Sequence, residues 1–213
     1  MLDYSLEDQL IFFSADQHWY HLNVIRYCNR PYSSVEEMNE DMVSKWNSVV
    51  GPQDSVYVLG DVSLAFRPVE VFSPRLNGTR FLVPGNHDWC HSYHKKGRKD
   101  LNKWIDRYSY CGWNVLPEQT TLTIDGIGEI NLCHHPYGNE NSGKNDAMYQ
   151  DKYARWRPAD NGKILLCGHV HDKWHTKRSP AGTLMINVGV DVNKFYPISE
   201  KEIIEIIKNE NST

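Results

Sequence analysis

The stretch that begins at residue 164 reads Ile164-Leu165-Leu166-Cys167-Gly168-His169-Val170-His171, a short apolar run that ends in Gly-His-Val-His. Four other runs have the same construction: residues 10–13 before Asp16 and His18, 56–59 before Gly60-Asp61, 81–83 before Gly85-Asn86-His87-Asp88, and 130–133 before His134. Apolar runs of this length, bounded by Gly, Pro or Asn, are typical of buried β-strands. Because loops at strand ends often carry functional residues, we expect the five ends to meet in one pocket.

The side chains at these five ends are Asp, Asn and His, with no thiolate among them, and such a set suits a hard or borderline divalent metal. Each motif alone has an ordinary interpretation. An Asp at a strand end can form a turn or cap a helix, residues 85–88 can form a turn, and His134-His135 before Pro136 can be a plain loop pair. The occurrence of all five in this order favours a metal site.

Taken together, Asp-x-His, Gly-Asp, Gly-Asn-His-Asp, a His before an x-Pro step and Gly-His-x-His resemble the signature of the calcineurin-like metallophosphoesterases. The resemblance covers almost the whole chain, and His21, Arg30-Pro31 and the segment 188–191 resemble the small bacterial and phage branch of that family. It implies one domain over residues 1–213 with an α/β (α+β) fold. The implied architecture is a four-layer αββα sandwich, in which two mixed β-sheets pack face to face with helices outside.

The resemblance also implies a ligand set for two divalent ions. One ion would be bound by Asp16, His18 and His171, the other by Asn86, His134 and His169, and both by the bridging Asp61. His134 is preferred to His135 because the family ligand lies two residues before the Pro. Manganese is the favoured metal, and iron, zinc or nickel would fit the same ligands.

Physical chemistry explains why a phosphoesterase needs such a set. Two ions about 3.5–4 Å apart can hold a shared hydroxide and polarise a phosphoryl oxygen. Asp16, Asp61 and the hydroxide together leave about one net positive charge to attract a phosphate anion. A bridging hydroxide is therefore the expected nucleophile, and no protein base is required.

His87 is not needed as a ligand, and we interpret it as the general acid that protonates the leaving-group oxygen. Asp88 is expected to hold the His87 imidazole and to raise its basicity. The alternative is that Asp88 caps the segment that follows it.

Arg30, His21 and His135 are the candidate substrate contacts. An Arg can hold a phosphate with two hydrogen bonds. His21 could instead cap or pack, and His135 could be a packed, hydrogen-bonded residue or a group behind the ligands. The segment 89–99 is either a phosphate-binding basic loop or a solvated one, and the segment 139–160 is either a lid with stacking aromatic residues or a packed face.

Length and composition are those of one compact catalytic domain, since 213 residues with 40% apolar content can bury a core without a partner. No apolar run could cross a bilayer, and the acidic start lacks the build of a secretory signal, so we expect a cytoplasmic protein without membrane contact. Five cysteines without CxxC spacing are interpreted as reduced core thiols.

The net charge of −4 argues against an extended nucleic-acid surface and favours small phosphorylated or nucleotide partners. We therefore expect a phosphodiesterase or small phosphatase, acting on a cyclic or other small nucleotide. The alternatives are a nuclease for short single strands, a protein phosphatase and a non-catalytic metal-stabilised binding module. A phosphoprotein substrate is disfavoured because segment 60–66 lacks the Arg of Gly-Asp-x-Val-Asp-Arg-Gly in the Ser/Thr phosphatases.

The remaining patterns predict alternating strands and helices. Ser34 and Glu37 form a capping box before an amphipathic helix with Trp46 in the core, and Ser199 with Glu202 begins a last helix expected to lie outside a sheet. A weaker helix is expected over residues 100–108. Residues 119–124 and 129–133 read as a hairpin that delivers His134 to its strand end.

Overall fold

A computed structural model describes residues 9–138 and 151–212. The first of its two sheets has the strand order β10-β1-β2-β3-β4, with all neighbours parallel except β10. Its strands, numbered along the chain, are β1 (Ile11–Ser14), β2 (Ser55–Val58), β3 (Thr79–Leu82), β4 (Trp113–Val115) and β10 (Ile198–Ser199).

The second sheet has the order β5-β6-β7-β9-β8, in which β6, β7 and β9 are parallel and the two edge strands are antiparallel. Its strands are β5 (Gln119–Ile124), β6 (Gly128–Cys133), β7 (Leu165–Cys167), β8 (Thr176–Arg178) and β9 (Leu184–Asn187). The predicted hairpin is confirmed, because β5 and β6 pair from Gln119 opposite Cys133 to Ile124 opposite Gly128.

The described helices are α1 (Leu22–Tyr27), α2 (Val35–Val49), α3 (Phe66–Phe72), α4 (Lys95–Lys99), α5 (Leu101–Tyr110) and α6 (Glu200–Asn211). Short 3-10 helices cover Ser73–Arg75 and Ala154–Trp156. The helix expected over residues 100–108 is α5, which begins after Asp100, whose side chain accepts a hydrogen bond from the Lys103 N–H. In the described ranges no helix is long and apolar enough to span a membrane.

Apolar side chains of both sheets form one cluster between them. Phe13 and Leu59 contribute from the first sheet, and Leu132 and Ile186 from the second. A second cluster, which includes Trp46, packs α2, α3 and α5 against the other face of the first sheet. The expected fold class, two mixed sheets packed face to face with helices, is confirmed.

Two helix details differ from expectation. Ser34 caps α2, but the Glu37 carboxylate accepts from the N–H and hydroxyl of Ser33, so the reciprocal half of that capping box is absent. The box of Ser199 and Glu202 is complete. α6 lies beside the edge strands β10 and β8, and its Ile203 and Ile207 enter the cluster between the sheets, so it closes one side of the sandwich.

The fold brings the five predicted strand ends together. β1, β2 and β3 are parallel neighbours in the first sheet, and β6 and β7 are parallel neighbours in the second. A parallel bridge between Ala15, just after β1, and Gly189, just after β9, joins the two sheets at this end. The carboxyl ends of both sheets therefore open onto one place.

Candidate metal centre

Asp61, at the end of β2, lies at the centre of the site. Its Oδ2 atom is 3.4 Å from Nε2 of His134, 3.6 Å from Nε2 of His18 and 4.0 Å from Nε2 of His87. Three imidazoles from three different strand ends thus surround one carboxylate oxygen. Burial opposes the charge of Asp61, but the neighbouring imidazoles, His134 first, hold its pKa well below the usual value.

Ligand atoms of the predicted residues gather into two overlapping groups. Asp16, His18 and His171 each offer one atom, and these atoms lie within 4.8 Å of one another. Asp16, Asp61 and His134 form a second such group. The predicted seven residues are completed by His169, whose Nδ1 is 3.3 Å from Nε2 of His134, and by the buried Asn86.

Unpaired buried polar atoms are concentrated at this site. Nine buried side-chain nitrogen or oxygen atoms in the described ranges have no hydrogen-bond partner, and seven of them belong to predicted site residues: Asp16 Oδ1, both ring nitrogens of His18 and of His135, Nδ1 of His21 and Asn86 Oδ1. Buried polar atoms in folded proteins nearly always have a partner or bind an ion or water. The donor set therefore fits divalent cations, which would take up one lone pair each from Asp16, His18 and Asn86.

Hydrogen bonds orient the imidazoles whose second nitrogen faces the site. Nδ1 of His134 lies 2.8 Å from the Leu59 carbonyl oxygen, and Nδ1 of His171 lies 2.9 Å from Oδ2 of Asp191. In metal sites the far ring nitrogen of a ligating His usually has such a partner, which fixes the tautomer and the ring orientation. Nε2 of His134 faces Asp61, 3.4 Å from its Oδ2 atom.

Five of the seven predicted ligands have left-handed backbone conformations: Asp16 (φ 61), His18 (φ 51), Asp61 (φ 57), His169 (φ 71) and His171 (φ 51). Each such conformation costs an L-residue about 1–3 kcal/mol and persists where the surrounding structure enforces it. Strain of this kind concentrates at functional sites, and here it coincides with the residues chosen from sequence.

The loops at the strand ends pack too closely for any side chain at two glycines. A Cβ atom on Gly85 would lie 2.5 Å from Oδ1 of Asp61, and one on Gly168 would lie 2.8 Å from Oδ2 of Asp16 and 2.7 Å from the Ala15 Cβ. The glycines in Gly-Asn-His-Asp and Gly-His-Val-His therefore let the loops approach the two carboxylates.

The prediction that the Asp88 carboxylate holds the His87 imidazole is wrong. The Asp88 carboxylate is fully buried and accepts hydrogen bonds from the backbone N–H groups of Asp61, Val62 and Gly85, and no hydrogen bond in the described ranges joins it to His87. Capping of the following segment is also not its role. Asp88 instead ties the loop after β3 to the loop after β2. Burial, followed by the charge of Asp61, raises its pKa to about 7.

The expected substrate contact of Arg30 is also wrong, because this residue is only 4% exposed. Its guanidinium donates to both carboxylate oxygens of Asp191 and to the carbonyl oxygens of Asp16 and Gln17. Asp191 in turn holds His171. Arg30 and Asp191 thus support two predicted ligands from behind. Asp191 was missed as a site residue, although the segment 188–191 carries it in the family-like tail.

His135 is 1% exposed and therefore does not reach a substrate, contrary to expectation. It is packed, with its ring stacked on Tyr153 at a centroid distance of 4.7 Å, but neither ring nitrogen is hydrogen-bonded. The His21 ring lies 5.5 Å from the His18 ring and is partly exposed, so its substrate contact stays a prediction.

The two variable segments differ in what they place near the site. In the segment 89–99, His91 is buried near His135. Lys95, Arg98 and Lys99 lie in α4 and are exposed. In the segment 139–160, residues 139–150, which include Met148 and Tyr149, lie outside the described residues. The Trp156 indole N–H donates to the hydroxyl of Ser92, and Tyr153 packs on His135, as in the packed-face alternative.

Fold and site together define a two-sheet sandwich with a buried group of His, Asp and Asn side chains that can hold metal. No family model matches the chain. The uncharacterized protein MJ1445 of Methanocaldococcus jannaschii is 43% identical over 204 residues, which cover 93% of this chain and 91% of the archaeal protein. The chain belongs to the family of that protein.

Two further similarities extend this comparison. The gene 66 protein of Mycobacterium phage L5 is 28% identical over 211 residues, covering 92% of this chain and 93% of the phage protein. The crystal structure of AQ665 from Aquifex aeolicus, a protein of unknown function, has a TM-score of 0.62 at 24% identity and covers 93% of this chain and 100% of its own. That likeness agrees with the sandwich fold.

Proposed function

We propose that this chain is a dinuclear metal-dependent phosphoesterase that hydrolyses small phosphodiester or phosphomonoester substrates. One observation carries the proposal. The Nε2 atoms of His134, His18 and His87 surround a single Asp61 oxygen, at 3.4, 3.6 and 4.0 Å. A carboxylate in this position can bridge two ions. The motifs' resemblance to the calcineurin-like metallophosphoesterases supports the same function.

In this proposal Asp16, His18 and His171 hold one ion, Asn86, His134 and His169 hold the other, and Asp61 bridges. Bound manganese, or iron, zinc or nickel in its place, would lower the pKa of water and polarise a phosphoryl oxygen. Asp16 and Asp61 cancel about half of the four positive charges, and the imidazoles and the amide cancel none. The site therefore favours an anionic group such as a phosphate ester.

His87 is the residue of this chain that meets the leaving group. Its side chain is 44% exposed, and its backbone N–H donates to Oδ1 of Asp61 at 2.8 Å, which fixes the loop that carries the ring. From this position Nε2 can hold a proton toward the leaving-group oxygen. General acid catalysis of this type contributes about 10²–10⁴-fold. Burial leaves His135 and Arg30 without contact with the leaving group.

The experiment compares substrate classes on metal-free protein supplied with Mn²⁺. Bis-nitrophenyl phosphate and cyclic mononucleotides are expected to be hydrolysed faster than labelled single-stranded oligonucleotides. Asp61→Asn is the control, because it removes the shared carboxylate and should slow hydrolysis more than about 100-fold, beyond the effect of losing an outer partner of a ligand.

Each alternative has its own outcome. Rapid oligonucleotide cleavage with inert cyclic nucleotides would replace the proposal by a nuclease. Absence of hydrolysis with Mn²⁺, Fe²⁺, Zn²⁺ and Ni²⁺ would contradict catalysis and leave a metal-stabilised binding module. Activity that survives in Asp61→Asn would show that the measured hydrolysis comes from a contaminant.

A further inference from the structure

His135 follows His134 at the end of β6, and its environment is unusual for an imidazole. The residue is 1% exposed, and both of its ring nitrogens lack a hydrogen-bond partner. A buried polar group without a partner destabilises the folded state, so native structures rarely keep one without a further role. A phenylalanine could pack on Tyr153 equally well without that cost. The unpaired ring lone pair of His135 therefore needs an explanation that packing does not supply.

The neighbours of His135 offer that explanation. One ligand atom each of His134, His135 and His169 lies within 4.8 Å of the other two. The His135 ring stands edge-on to both neighbours, with centroid distances of 5.0 Å to His134 and 4.6 Å to His169. Two nitrogens bound to one ion at about 2.1 Å each lie at most about 4.2 Å apart, so small ring movements suffice for three of them to share an ion.

The His135 ring is also held in place by its neighbours. Tyr153 stacks on it at a centroid distance of 4.7 Å and an interplanar angle of 27°. An oriented imidazole with an unused lone pair is what a divalent cation binds.

We propose that His135 is a third imidazole ligand of the ion that Asn86, His134 and His169 would hold, an inference that rests on the proposed function. This ion then has three imidazoles, whereas the ion at Asp16, His18 and His171 has two imidazoles and one more carboxylate. Nitrogen-rich sites suit zinc, iron, nickel or cobalt, and carboxylate-rich sites suit manganese. The two positions therefore prefer different metals, and the His135 position binds Zn²⁺ or Co²⁺ first.

The test titrates metal-free wild type and His135→Phe with Co²⁺ and Zn²⁺, followed by visible absorption and calorimetry. Wild type is expected to bind two ions, and His135→Phe to bind one of them at least about tenfold more weakly with a changed Co²⁺ spectrum. His91→Phe is the matched control, because it makes the same substitution at a neighbouring buried histidine outside the predicted ligand set. It should leave both affinities unchanged.

Thermal unfolding separates a ligand from a packing residue. Without metal, His135→Phe is expected to be at least as stable as wild type, and Zn²⁺ should raise its Tm less than that of wild type. Wild-type protein that binds two ions while His135→Phe binds them with the same affinity and spectrum would overturn this inference and leave the proposed function intact. Wild-type protein that binds neither ion would refute the proposed function itself.

Discussion

The two sides of the candidate metal centre are supported in different ways. On the Asp191 side, comprising Asp16, His18 and His171 with Arg30 and Asp191 behind them, Asp16 and His171 are held by charge and hydrogen bonds. On the Tyr153 side, comprising His134, His135 and His169 with Tyr153, aromatic rings contact one another at centroid distances of 4.6–5.1 Å, and His134 also bonds the Leu59 carbonyl oxygen. The first side should respond to the removal of a charge, the second to a change of shape.

The largest effect that would test this difference between the two sides is a loss of stability in the variant Arg30→Met. The Arg30 and Asp191 side chains are 0% and 1% exposed, so this substitution leaves the Asp191 carboxylate buried without its cation. Breaking a buried ion pair from one side costs about 3–5 kcal/mol of unfolding free energy. Urea unfolding of the metal-free protein measures the loss.

Arg67→Met is the matched control for Arg30→Met. Arg67 also pairs with a carboxylate, that of Glu70, but its side chain is 80% exposed. Exposed ion pairs contribute little, so this variant should unfold at nearly the wild-type urea concentration. Equal losses in the two variants would mean that the buried pair has no special weight.

A second, substrate-dependent effect is expected from His87→Ala, which belongs to neither side. Both metals should remain bound, and hydrolysis of alkyl phosphate esters should slow by about 100-fold because the leaving group loses its proton donor. Nitrophenyl esters, whose leaving group needs no proton, should be affected little. Steady-state rates on the two ester types measure this ratio, and equal slowing on both would contradict the acid role.

The smallest effect on metal binding is expected from Asp191→Asn, which keeps the shape but removes the charge behind His171. Because it also removes the counterion of Arg30, a loss of stability like that of Arg30→Met should accompany it. Loss of such an outer partner weakens metal binding by about 10–100-fold. Calorimetric titration should show this loss for one ion only, the one on the Asp191 side.

Asp160→Asn serves as its control, because the Asp160 carboxylate accepts hydrogen bonds from the hydroxyls of Ser179 and Thr183 and from no predicted ligand. It should change neither affinity. Equal weakening of both ions by Asp191→Asn would remove the distinction between the two sides.

Local patterns in the sequence were sufficient to predict the strands and the gathering of their ends. The runs before Asp61 and His169 became β2 and β7, since short apolar runs bounded by glycine have few other ways to bury themselves. Parallel pairing of neighbouring strands then places the residues that follow them at one edge. The positions of Asp16, Asp61 and His134 therefore follow from local sequence and simple topology.

The partners of buried charges could not be read in the same way. Asp88 follows His87 directly, yet its carboxylate meets backbone N–H groups of a loop 26 and 27 residues away. Arg30 lies 161 residues from Asp191 along the chain. Such pairings depend on how two loops cross in space, and the hydrophobic periodicity of the sequence carries no information about that crossing. Only one feature of the sequence pointed to Asp191 as a site residue, namely its position after the apolar segment that includes β9.

The left-handed backbone at Asp16, His18, Asp61, His169 and His171 sets the chemistry of this site against the stability of the fold. Glycine at any of these positions would relieve strain and remove a candidate ligand at the same time. Some substitutions at these five positions should therefore raise the unfolding temperature and abolish activity together. Stability and activity would be in direct conflict there. A screen of variants for thermal tolerance alone should therefore replace these candidate ligands before other residues.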